Sequence, residues 1–140
     1  MTKILPSYAT PPSLADIETI AQASFAGIPH ELRKWATDVV IRVEDFPDEE
    51  IEHEMDLESP FDLLGLYRGV SLPNRSVSDI SRMNDMIVLY RRPILDYWCE
   101  TGEDLATLVR HVLIHEIGHH FGFSDDDMAR IEDEGDQARF

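Results

Sequence analysis

The feature that most restricts this chain is the run His115-Glu116-Ile117-Gly118-His119, an H-E-x-x-H pattern near the C-terminus. On an α-helix, residues four apart share a face and lie about 6 Å apart along the axis. Two imidazoles so placed can converge on one zinc ion, with nitrogens about 2.0–2.1 Å from the metal. Glu116 then falls beside the open coordination position, where it can take a proton from water. The pattern demands a helix here.

The surrounding residues also specify one. Thr101 with Asp104 resembles a capping box, with Gly102 and Glu103 in the first turn. Leu105, Leu108, Val109, Val112, Leu113, Ile117 and Phe121 then recur at helical spacing. Glu103, Asp104, Thr107, Arg110 and His111 make one polar stripe in the first half. From Val112 to Phe121 the only ionisable side chains are Glu116 and three histidines. A carboxylate among Leu, Ile, Phe and Val is costly unless something pairs with it, and water activated by a metal is such a partner. A chance H-E-x-x-H on a solvated face fits this apolar surround poorly.

Gly122, three residues after His119, can end the helix through a left-handed turn. Asp125 lies six after His119, giving H-E-x-x-H-x-x-G-x-x-D, the metzincin spacing with Asp in place of the third His. His115, His119 and Asp125 are therefore the expected metal ligands and Glu116 the catalytic base. Asp126, Asp127 or a later Glu are alternatives for the third ligand. Asp125 also has a competing role, because Ser124-Asp125-Asp126-Asp127 reads as the capped start of another helix. His111 precedes His119 by about 12 Å along the axis, too far to share one ion with it. It is expected to face solvent.

With these residues in hand, the chain resembles a small bacterial family of predicted zinc metallopeptidases with a minimal zincin-like, matrix-metalloprotease-like domain. Phe61-Asp62-Leu63-Leu64-Gly65-Leu66-Tyr67-Arg68-Gly69 and Ile87-Val88-Leu89-Tyr90-Arg91-Arg92-Pro93 resemble that family's other two blocks, so the likeness spans roughly 10–128. The resemblance implies a single zincin-like domain, one zinc ion and proteolytic chemistry. The expected fold is α+β, a three- to four-stranded mixed sheet packed on the active-site helix and further helices. A larger metzincin's distant methionine turn is not expected after Met128, which is itself expected to be a core residue.

At 140 residues the chain is expected to be one domain over 13–136 behind a flexible tail at 1–12. The formal net charge of −16 opposes nucleic acids and anionic membranes. It would favour a basic peptide or protein substrate, or solubility alone. Cys99 has no partner for an internal disulfide and is expected to be a buried thiol in a reducing cytoplasm. No run is long and apolar enough for a membrane span or a signal peptide, and a monomer is expected. The alternative function is a non-catalytic acidic module that keeps zinc for its fold and docks a basic partner. Water at the fourth coordination position would speak for catalysis, a fourth protein ligand for structure.

Along the chain, Ser13 is expected to cap a helix through Phe25, with a short turn or helix at 30–35. Strands are expected at Val39–Glu44, Leu63–Arg68 and Met86–Arg91, with a helix starting at Pro93. Gly65 marks a bulge or a close approach of another backbone. From Glu44 to Asp62 there are ten acids and no lysine or arginine, a solvated face in its plainest reading. The polar stretch 71–85 reads as a flap near the cleft. Ile87–Arg91 is expected to be the edge strand that pairs with an extended substrate. Tyr67, Tyr90 and His120 are candidate oxyanion donors.

Overall fold

The computed structural model describes residues 10–69 and 85–138, and their side chains up to position 133. The flap at 71–85, apart from its last residue, and most of the tail at 1–12 lie outside the described residues.

Ser13 caps α1 (Leu14–Ala26) through a reciprocal capping box with Asp16, and Gly27 ends it. A short α2 (His30–Arg33) leads into β1 (Val40–Glu44). The acidic run is not all loop. Asp48 caps α3 (Glu49–Glu54), whose buried Ile51 ties it down, and a 3₁₀ turn follows at Pro60–Asp62. Acids in a first turn are favoured by the helix dipole, so this composition can fold where like charge alone would oppose it. Then come β2 (Gly65–Arg68) and β3 (Met86–Tyr90). Helix α4 (Arg91–Thr101) carries Pro93 in its first turn and ends at Gly102, whose φ of 72° is left-handed.

The three strands form a mixed sheet in the order β1-β3-β2, with β1 parallel and β2 antiparallel to β3. The fold is α+β. This order corrects one expectation. Strand β3 is central, with both hydrogen-bonding sides used inside the sheet, so it cannot offer a substrate a free edge. Among the described residues, the strands with an unpaired side are β1 and β2.

The long helix α5 (Leu105–Phe121) packs against α1 and β2. Its start differs from the expected one. Asp104, not Thr101, is the cap and accepts from the Thr107 backbone N–H at 3.0 Å, while Thr101 is the last residue of α4. Gly102 forces the break between the two helices. Leu108, Val109, Leu113, Ile114 and Ile117 of α5 join Ile17 and Ala21 of α1 and Ile87 and Leu89 of β3 in one buried cluster. Gly65 is where β2 meets α5: a Cβ there would sit 2.8 Å from Val112 Cγ1 and 3.2 Å from Leu89 Cδ2. Gly122 closes α5 at φ 83°, and α6 (Asp125–Ala138) doubles back across it. Met128 and Ile131 of α6 are fully buried, and a Cβ on Gly118 would collide with Met128. Met128 is a core residue, and Gly118 leaves the space it fills. Cys99, expected to be buried, is exposed on α4. No helix among the described residues is long and apolar enough to cross a membrane.

Candidate metal centre

The site lies where α6 returns over the second half of α5, with β2 alongside. His115 and His119 are one helical turn apart, their ring centroids separated by 5.7 Å. Each faces a carboxylate of α6. His115 Nε2 is 2.9 Å from Glu132 Oε1, and His119 Nε2 is 3.8 Å from Asp125 Oδ1. The two pairs differ in setting, since the Glu132 side chain is 22% exposed and that of Asp125 is 89% exposed. Asp125 is also the first residue of α6, where Ser124 caps the helix by accepting from the Asp127 N–H.

His111 is exposed, as expected, but it also has partners in the fold. Its ring packs against that of His115 at 4.0 Å, and its Nδ1 lies 3.0 Å from the other oxygen of Glu132. One carboxylate thus bridges two imidazoles. Among the described residues, His111, His115 and Glu132 are the group whose ligand atoms all lie within 4.8 Å of one another. Glu132 has a detectable sequence signal in hindsight. Met128 and Ile131 mark the inward face of α6, and position 132 is four after Met128, so a carboxylate there turns toward α5.

Arg110, placed by periodicity in a polar stripe, is buried. Its guanidinium donates to the backbone carbonyls of Glu132 at 3.1 Å and of Ile131 at 3.5 Å. The stripe exists, but α6 covers part of it, which local spacing could not foresee.

Glu116 points the other way, toward the sheet. Burial among apolar neighbours raises its pKa above the ordinary carboxylate value, against the lowering effects of a hydrogen bond from the Tyr67 backbone N–H and of nearby His119. Tyr67 pairs with Ile87 in the antiparallel register, whereas Leu64 and Tyr90 are hydrogen-bonded neighbours. By alternation, the Tyr67 N–H points off the outer edge of β2, and Glu116 meets it there.

Each of the three candidate oxyanion donors has a contact or burial of its own in the fold. The Tyr67 hydroxyl donates to Asp85 at 2.7 Å. Tyr90 is buried, and burial followed by neighbouring Glu44 pushes its hydroxyl up to about 12. His120 stacks on the Tyr67 ring at 4.0 Å and crowds Gly69, where a Cβ would lie 2.8 Å from its Nε2.

A family model described as a zincin-like metallopeptidase matches residues 36–135. The chain belongs to the zincin-like metallopeptidase family. The matched segment runs from before β1 through most of α6, so it contains the sheet, the H-E-x-x-H helix and both α6 carboxylates. No curated protein matches the chain significantly. Zinc is the metal this family implies, and the donors present suit it: imidazole nitrogens and carboxylate oxygens, gathered at the junction of two helices. Among the described residues the gathered donor set is His111, His115 and Glu132; His119, one turn further along α5, faces Asp125 at 3.8 Å.

Proposed function

We propose that this zincin-like protein is a peptidase that uses one zinc ion and takes Glu116 as its general base. His115 and His119 would hold the ion together with a carboxylate of α6, for which the motif spacing names Asp125. Bound there, zinc supplies Lewis acidity, which lowers the pKa of water toward about 7 and polarises a carbonyl. Glu116 removes the proton from the attacking water and carries it to the departing amine. A raised pKa suits both halves of that transfer, because the carboxylate accepts more readily and retains the proton until the amine is ready. The Tyr67 N–H fixes the carboxylate against the β2 edge, so it does not have to be ordered during the reaction.

The single observation that supports this reading most is the position of Glu116: a half-buried carboxylate, one residue after His115, anchored to a strand edge. A purely structural zinc site has no need of it. The net charge of −16 favours peptides with basic residues as substrates, and a single cysteine agrees with a reducing cytoplasm. Cleavage of a peptide library by wild type and Glu116→Gln, with zinc content measured on both, tests the assignment. Glu116→Gln should keep its zinc and lose hydrolysis by about 10²–10⁴-fold, the usual contribution of a general base. Equal cleavage by the two proteins would remove Glu116 from this role.

A further inference from the structure

We propose that Glu132 is the third protein ligand of the metal, and that His111 is a positioning residue holding its far oxygen. This rests on the zinc-peptidase reading above and departs from the spacing rule that points to Asp125. Three observations carry it. First, two donors bonded to one zinc at about 2.0–2.1 Å stand about 2.9 Å apart at a right angle and about 3.3 Å at the tetrahedral angle. His115 Nε2 and Glu132 Oε1 are in direct hydrogen-bond contact at 2.9 Å, so a metal replacing the shared proton needs them to part only slightly, whereas His119 and Asp125 stand 3.8 Å apart without such a bond.

Second, Glu132 is held in place while Asp125 is not. Arg110, itself buried, grips the Glu132 carbonyl, and Met128 and Ile131 lock the same face of α6 into the core. Asp125 projects from the exposed first turn, where its charge already has a use at the helix N-terminus. Ordering an exposed side chain costs more entropy than using one already fixed.

Third, the other oxygen of Glu132 meets His111 Nδ1 at 3.0 Å. His111 cannot join an ion held by His119, being two turns away along α5. It can orient the carboxylate that does, as outer partners commonly do for metal ligands.

The test is zinc affinity, read by competition with a chromophoric chelator, together with the visible absorption of the cobalt-substituted protein. Wild type, Glu132→Gln, Asp125→Asn, His111→Leu and His119→Ala are compared, each checked for helix content without metal. Glu132→Gln should lose more affinity than the roughly 10–100-fold typical of deleting an outer hydrogen-bond partner, and its cobalt spectrum should change. His111→Leu should fall within that roughly 10–100-fold range with the cobalt band shifted but present. Asp125→Asn should stay within roughly threefold of wild type, as an ordinary surface change does. Zinc binding that survives Glu132→Gln, or an Asp125→Asn loss as large as that of Glu132→Gln, overturns the assignment. A zinc-loaded crystal structure with Asp125 rather than Glu132 at bonding distance does the same without relying on any variant. The failure of the parent reading looks different: wild type would take up no zinc, and His119→Ala would be indistinguishable from it.

Discussion

Burying an acid normally costs free energy, and Glu116 is tolerated because a strand-edge N–H and a neighbouring imidazole partly compensate for lost water. Burial acts in the same direction on Tyr90, another neutral acid, whose hydroxyl it pushes up to about 12. In the unfolded chain a tyrosine titrates near its ordinary value of about 10. Between those values the unfolded state has released the proton and the folded state has not, so stability falls as pH rises. Below about 10 the hydroxyl is protonated in both states, so its contribution to stability is fully present and does not vary with pH. Urea midpoints measured from pH 8 upward should therefore decline more steeply for wild type than for Tyr90→Phe once pH passes about 10. Identical slopes would show that burial of this hydroxyl does not couple to folding. At this scale the motif residues were readable in advance, because H-E-x-x-H encodes spacing on a single helix. The environment of Arg110 was not, since a lone helical period cannot tell solvent from a later helix.

Packing of α5 on β2 sets how far Glu116 sits from the strand it bonds to. Gly65 allows that approach: its missing side chain is replaced by Val112 Cγ1 and Leu89 Cδ2. Gly65→Ala should destabilise the fold by about 1–3 kcal/mol, as overpacking usually does, and this is measurable by thermal or urea denaturation. An unchanged midpoint would mean that α5 can shift without cost. The approach was readable from a glycine inside a strand pattern, although its partner was not. On the far side of α5, helix α6 is tied down by Arg110 and again by a two-pronged ion pair between Arg130 and Glu31 of α2, at 2.6 and 3.0 Å. The arginine holds the Glu31 carboxyl below its usual range. That contribution is present above the ordinary carboxylate pKa and is lost as pH falls through the depressed value.

Over the whole molecule, 28 acids against 12 lysines and arginines leave a net charge of −16. Such self-repulsion works against the compact state. Raising ionic strength from about 0.01 M to 0.15 M shortens the Debye length from about 30 to 8 Å, so the melting temperature should rise over that range. A fall would mean that exposed pairs such as Arg130–Glu31 outweigh the repulsion. The sequence by itself determined α1 with its Ser13 cap, the β-branched strands and the H-E-x-x-H helix, because each depends on residues within a few positions of one another. Only the tertiary structure decided that β3 is central, that Arg110 is buried, and that His111, His115 and Glu132 meet. Those facts depend on which surfaces come together after α5 ends at Gly122 and the chain reverses, and burial and pairing across such a reversal leave almost no trace in local spacing.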